Sequence, residues 1–497
     1  MLVQRRSVTI QARVAQNVAR MFGRLDARLG RAAFPAVAQP EAEARKVAVL
    51  RIATGLVLVW RCALMLRDSY YYFDPVVLGG REWPLQAAAA AAQLALALGL
   101  AIGVRPALCA LLLLATHPAY SMWTGTYNLG PMLLTPMLGA FAVLETGRLT
   151  PRGRWRAAPP VVYYRAVSLI LFGAFAGWNF QALLYHVRDA YWLAGQTLAV
   201  LFTSAYLSEF YEVFRRLEAT APSAYASLSM AVIVGQTVFQ LAMAPLAATA
   251  LGRRFVHWWG WVFILGSLAD LQLSILPVVE IIMWAFVFTP ARWFAGRKRA
   301  TLVEHPDTAL PPRPFAARLY CSVYGILLVL YVGNGLARFT LARELPAWLN
   351  SAVLPLSGLV APNVFNREDL SMGDRWVVLE RADGALSGSV PFNGLDGERL
   401  DYHRGDLPYF DTSLPWRRGM IYVTDLTAYH QPGGMGYSYA RRIALYDFRR
   451  HGGVGSGLYR CTLFRNRASL VALGSAPDRY RREVVYEFTV QVGSPMN

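Results

Sequence analysis

Val47–Leu66 reads VAVLRIATGLVLVWRCALML, an apolar run of 20 residues interrupted only by Arg51, Thr54 and Arg61. A bilayer core of about 30 Å needs about 20 apolar residues in a helix. Lipid offers the backbone no hydrogen-bond partners, so a crossing segment is helical. Eight further stretches have the same character, near 85–104, 106–124, 127–144, 161–180, 225–247, 256–273, 274–290 and 319–341. The expected fold is therefore mainly α: a polytopic transmembrane bundle of about nine spans.

Composition agrees with this reading. The 497 residues are 55% hydrophobic and only 16% charged, where a soluble domain carries about 25% charge. An ordinary soluble enzyme and a disordered chain are both excluded by that balance. Cys62, Cys109, Cys321 and Cys461 are scattered, so they form neither a disulfide framework nor a zinc pattern, and no metal site is expected. The net charge is +18, and all but Lys46 and Lys298 of the 49 basic residues are arginine. The arginines cluster beside apolar segments, as membrane topology requires, and no nucleic-acid-binding pattern accompanies them.

Residues 1–46 read as a basic amphipathic cytoplasmic tail. Ile10, Val14, Val18, Phe22, Leu25 and Leu29 recur at helical spacing opposite Arg13, Arg20, Arg24, Arg28 and Arg31, a pattern suited to an anionic membrane surface. A weakly ordered tail is the alternative, and no removable signal peptide is recognised. Further basic stretches at Arg148–Arg156 and Arg292–Arg299 are assigned to the same cytoplasmic side. That assignment requires 193–214 (LAGQTLAVLFTSAYLSEFYEVF) to lie at the surface or re-enter rather than span. Nine spans then carry the C-terminus out of the cell's inner membrane.

Residues 47–344 thus form the membrane domain and 345–497 an extracytoplasmic β-rich domain. Short alternating runs mark its strands: RWVVLE (375–380), MIYVTDL (420–426), RIALYDF (442–448), LYRCTLF (458–464) and VVYEFTVQV (484–492). Asp383-Gly384, Asn393-Gly394, Pro432-Gly433-Gly434 and Gly452-Gly453 punctuate them, which predicts a small antiparallel sheet.

Ionisable groups within spans are costly and usually face the bundle interior. Arg51, Arg61, His117, Arg165, Asp270 and Glu280 are the candidates. The arginines have a bland alternative, snorkelling to an interface. His117 precedes Pro118, and either exchanges protons near neutral pH or fills a carbonyl freed by the proline. Asp270 and Glu280 need a partner or must hold a proton; pairing with Arg51 or Arg165 is the economical solution, proton handling the sharper one. His186 is placed in an extracytoplasmic loop. RFVHWWGW (254–261) reads as an interfacial aromatic belt. No nucleotide-binding or hydrolase motif is present, and the residues specify no cofactor.

Several segments, taken in order, resemble the horizontally transferred transmembrane (HTTM) proteins, relatives of vitamin K-dependent γ-carboxylase. These are VLRIATGLVLVWRCALMLRDSYYYFDP (49–75), LALALGLAIGVRPALCALLLLATHPAYSMW (94–123), the Asn128 stretch running into Glu145-Thr146-Gly147, FAGWNF (175–180), YWLAGQTL (191–198) and LVAPNVFNREDLSMGDRWVVLERADG (359–384). The resemblance implies a Trp-x-x-Gly lid at Trp192 and Gly195. It also implies, in carboxylases, a base lysine shortly before that lid. The interval 178–191 holds no lysine, and Thr124-Gly125-Thr126 stands where an Asn-Asn-His run belongs. An arginine cannot replace a deprotonated lysine, so γ-carboxylation is not expected. The functional expectations are an enzyme or redox helper acting on a lipid, quinone or exported peptide through His117, Asp270 or Glu280; a non-catalytic partner in export or maturation of a secreted peptide; and, with no inverted repeat to favour it, a transporter.

Overall fold

The computed structural model describes residues 40–67, 83–123, 129–144, 161–203, 208–271, 273, 275–290, 293, 314–359, 375–382, 388–390, 435–453, 457–468 and 480–493. The first 39 residues, Asn128, the arginine-rich stretches 148–156 and 297–299, and the expected strand 420–426 lie outside them.

Helices account for every apolar stretch read above. They are α1 (Pro40–Arg67), α2 (Trp83–Ile102), α3 (Pro106–Trp123), α4 (Leu129–Val143), α5 (Val161–His186), short α6 (Ala190–Leu193), α7 (Gln196–Thr203) and α8 (Tyr211–Thr220), then α9 (Pro222–Ala247), α10 (Ala250–Asp270), α11 (Leu276–Phe288) and α12 (Pro314–Leu341). Among the described residues, five of these are long and apolar enough to cross a membrane: α1, α2, α5, α9 and α12. The others fall short for identifiable reasons. α4 has 15 residues and α11 13, about 20 Å at the helical rise. α3 carries His117 and Pro118, and α10 carries Arg253, Arg254, His257 and Asp270.

The two short apolar helices lie at the centre of the bundle. Every residue from Gly130 to Phe141 is buried, as are Val279, Glu280, Ile282, Met283 and Trp284, and a helix apolar all round belongs inside. One core joins Leu134, Met137 and Phe141 of α4 to Phe175 of α5 and to Met283, Trp284 and Phe286 of α11. The periphery is the reverse: Phe315, Leu319, Val323, Ile326 and Val329 of α12 present an exposed apolar stripe. Close helix contact rests on small residues. At Gly55 a Cβ would stand 2.7 Å from the Ala101 amide nitrogen, so α1 and α2 touch through backbone. Pro118, Pro136 and Pro245 sit inside helices, which packed membrane helices tolerate.

Three expectations change in detail. α1 begins at Pro40, inside the segment assigned to the tail, because Glu43 and Lys46 are buried against the bundle as an ion pair at 3.1 Å. α5 continues to His186. Segment 193–214 is not one helix: Gly195 (φ 76°) separates α6 from α7, and Ser208 bridges to Leu271 before α8 begins. The folded-back pieces are anchored on α9, where the Tyr225 hydroxyl donates to the Ala199 carbonyl (2.6 Å) and the Ser229 hydroxyl to the Gly195 carbonyl (2.5 Å).

The C-terminal region forms a four-stranded antiparallel sheet in the order β2-β1-β3-β4, with β1 Arg375–Arg381, β2 Gly388–Ser389, β3 Leu458–Ala468 and β4 Tyr480–Gln491. β1 and β3 pair from Arg375↔Arg465 to Arg381↔Tyr459, and a bulge at Leu463/Phe464 shifts the β3–β4 register. The expected strand 442–448 is instead part of a helix, α13 (Met435–Arg450). Ala440, Ile443, Ala444 and Asp447 are its buried residues, at spacings of three, one and three that suit a helix face and defeat strand alternation. Asp447 locks α13 to the sheet: Arg381 donates to both carboxylate oxygens at 2.7 Å, and the Tyr459 hydroxyl donates at 2.7 Å.

Candidate functional site

Buried polar residues of α1, α2 and α3 form one seam. Arg61 stands on α1, nearly three turns after Arg51, which lies apart from it. On α2, Gln86 and Gln93 are seven apart, hence on one face, and flank the alanine-rich 87–92 stretch. His117 projects from α3. Arg61, Gln86, Gln93 and His117 are each at most 3% exposed.

The hydrogen bonds set the seam's chemistry. Arg61 Nη1 lies 3.3 Å from His117 Nε2, and His117 Nδ1 lies 3.0 Å from Gln93 Oε1. A guanidinium only donates, so Nε2 accepts and Nδ1 carries the proton that goes to Gln93. His117 is therefore a neutral imidazole with both nitrogens engaged, next to a fixed positive charge. Gln86, completely buried, makes no side-chain hydrogen bond among the described residues, while its carbonyl accepts from the Tyr120 hydroxyl at 3.4 Å.

Beside the seam the environment turns apolar. Met65, Ala90 and Tyr120, each one turn from Arg61, Gln86 or His117, belong to the same buried cluster as Trp192, Leu198, Leu201 and Ile233 and the sheet residues Val377, Leu379 and Ile443. Trp192 and its short helix are fixed on three sides. The indole N–H donates to Thr237 Oγ1 (2.9 Å), the ring stacks on His186 at 3.6 Å with 9° between planes, and Asp189 caps α6 by accepting from the Tyr191 amide at 2.8 Å. His186 is buried rather than a loop residue, and its Nδ1 lies 3.3 Å from Gln240 Oε1.

The remaining candidates are dispersed. Asp270 meets neither Arg51 nor Arg165; its carboxylate accepts from Ser208 Oγ (2.5 Å) and the Phe210 amide (3.3 Å), and its carbonyl accepts from the Glu209 amide (2.7 Å). It ties the start of α8 to the end of α10. Glu280 is 2% exposed in the centre of the bundle. Arg165 is half-buried near the start of α5. In RFVHWWGW, Gly260 packs under Trp284 and the His257 carbonyl accepts from the Trp284 indole, so that stretch faces protein on one side, with Trp258 exposed on the other. Lys46 is committed at the opposite end of α1, bound to Glu43 and donating to the Thr289 carbonyl at 3.2 Å.

Gln86, Gln93, Thr237 and Gln240 were not singled out from sequence. The two α2 glutamines did carry a signal, a seven-residue repeat of amides in an otherwise apolar helix. Among the described residues, no three His, Cys, Asp or Glu side chains converge as a metal site. Compared with family models, curated proteins and solved structures, the chain finds no match in any of the three.

Proposed function

We propose that this chain is a multi-pass inner-membrane protein of the HTTM class. In this reading about nine crossings carry an extracytoplasmic sheet domain, and the bundle binds the head of a lipid, quinone or acylated exported peptide in the Arg61–His117–Gln93 seam. The observation that carries the reading is the seam itself: a guanidinium, a neutral imidazole and two amides buried between three helices, with Met65, Ala90 and Tyr120 beside them in the buried cluster that also holds Trp192. Such groups in a span mark a site more often than a packing accident.

The seam suits a ligand with an oxygen acceptor on an apolar body. Arg61 supplies positive charge where hydrocarbon surrounds it, and Gln86 offers both a donor and an acceptor. Met65, Ala90 and Leu198 would contact the apolar part, with the lid excluding water. γ-Carboxylation does not fit, because Lys46 is bound to Glu43 at the far end of α1 and the lid-proximal helix end carries His186 in place of a base lysine.

The test is extraction of the purified full-length protein with organic solvent and mass spectrometry of what it releases. Wild type is expected to release a stoichiometric lipid-soluble compound; Gln93→Leu and His117→Leu lose it, while Asp270→Asn, away from the seam, retains it. Equal release from all four proteins overturns the assignment.

A further inference from the structure

A second polar feature stands apart from the seam, at the turn between α2 and α3. Arg51 is completely buried, and none of its three guanidine nitrogens makes a hydrogen bond among the described residues. A guanidinium offers five N–H donors and cannot shed its charge, so leaving it unmet away from water is among the costliest states a side chain can adopt. Its head lies against Gly103, where a Cβ would come within 2.9 Å of Nη1 and 3.1 Å of Nη2. Gly103 also has φ 80°, so glycine is required here on both counts.

The surroundings of that head are electropositive. The turn is pinned by the Gly103 and Val104 amides on the Gly99 carbonyl. Arg105 follows, exposed and at φ 43°, and α3 starts immediately after it with its positive dipole end. Residues 99–109 contain no acidic side chain. The turn lies toward the end of the bundle that holds Lys46 and Thr289, the end the positive-inside pattern assigns to the cytoplasm, where anionic headgroups are abundant.

We propose that the α2–α3 turn is a binding site for a phosphate anion, with the Arg51 guanidinium and the α3 N-terminus as its floor and Arg105 as its rim. A helix N-terminus beside an arginine is a general solution for phosphate. The phosphate comes either from a phospholipid headgroup in that leaflet or from free phosphate.

The experiment uses delipidated full-length protein in an uncharged sugar detergent, given phosphatidylglycerol in one arm and inorganic phosphate in the other. Thermal unfolding and native mass spectrometry are the readouts. Wild type is expected to gain thermal stability and to hold one anion. Arg51→Gln binds about tenfold or more weakly, the effect of losing one charge-assisted contact; Arg105→Gln shows a smaller loss. A response to phosphatidylglycerol alone identifies a lipid headgroup, and a response to both identifies the phosphate group itself. Arg51→Lys, which keeps the charge without the fork, serves if Arg51→Gln does not fold, and is expected to bind more weakly than wild type. No response of wild type in either arm, or an undiminished response in the Arg51 variant, overturns the site.

Discussion

Removing the imidazole from the seam has a consequence that can be sized. His117→Leu keeps the apolar volume but leaves Arg61 Nη1 without the acceptor it holds at 3.3 Å and Gln93 Oε1 without the donor at 3.0 Å. In water-soluble proteins, a hydrogen bond to a charged group contributes about 1.5–3 kcal/mol. Between membrane helices such bonds measure less, about 0.6 kcal/mol on average and about 1.7 at most, because the unfolded chain in the membrane also finds partners. The seam is buried between three packed helices and one partner is charged, so the expected Arg61–His117 coupling is about 1–2 kcal/mol. The assay is a double-mutant cycle of Arg61→Met and His117→Leu, with unfolding of the full-length protein followed in mixed micelles. His117→Gln, whose amide can both accept and donate, should recover most of the loss. Additivity of the two single changes within about 0.5 kcal/mol, or equal loss for the Leu and Gln variants, would refute the claim that the imidazole bridges two helices.

Three further predictions address the frame around the seam. Gly55→Ala should destabilise the bundle by about 1–3 kcal/mol through overpacking against the Ala101 backbone, although Ala is the better helix former; a neutral or stabilising result in the same unfolding assay contradicts the contact. Asp447→Asn should cost about 3–5 kcal/mol, since it breaks a bidentate pair on a fully buried carboxylate; the measurement is proteolytic protection of 435–493 in the full chain, and unchanged protection would be the adverse outcome. Burial, then the neighbouring Asp447 carboxylate, pushes the Tyr459 phenol up, and burial alone pushes the Cys461 thiol up. A folded-state value above the unfolded one means stability is intact below the ordinary values of 9.0 and 10.0 and is lost as pH climbs past them toward the folded values. Alkaline thermal unfolding should show that decline, less steeply in Tyr459→Phe.

The helices were legible because lipid leaves the backbone one solution and demands apolar length, so hydropathy alone located the nine described helices of 13 or more residues preceding residue 345, five of them long and apolar enough to cross a membrane. Which of them lie at the centre was not legible. α4 and α11 read like any other apolar run, and only their neighbours reveal that protein surrounds them. The sheet was legible where strands alternate, in 375–380, 458–464 and 484–492. RIALYDF failed because Ile443 and Leu445 alternate as they would in a strand, and the helix face is decided by Ala440, outside the quoted run, together with Ile443, Ala444 and Asp447. Among site residues, His117 stood out by its charge chemistry. Arg61 stood out as an intramembrane charge and Gln93 did not, and their meeting with His117 was not legible: Arg61 sits 56 residues away and Gln93 24 away, and no local pattern encodes a meeting of three helices. Asp270 does not pair with an arginine; the Ser208 hydroxyl and the Phe210 amide both donate to its Oδ1, while Oδ2 has no hydrogen-bond partner among the described residues.

The measurement that bears most directly on the account is the side of the membrane on which the sheet domain stands, read from alkaline phosphatase and green fluorescent protein fused after Asn497. Trp192, the sheet and the residues Met65, Ala90 and Tyr120 that adjoin the seam share one buried cluster, so the side of the sheet is the side from which the proposed seam site is approached. Phosphatase activity without fluorescence is the predicted result: an odd number of crossings, with the seam facing exported or extracytoplasmic ligands. Fluorescence without phosphatase activity would place the sheet in the cytoplasm and contradict both the crossing number and the proposed role.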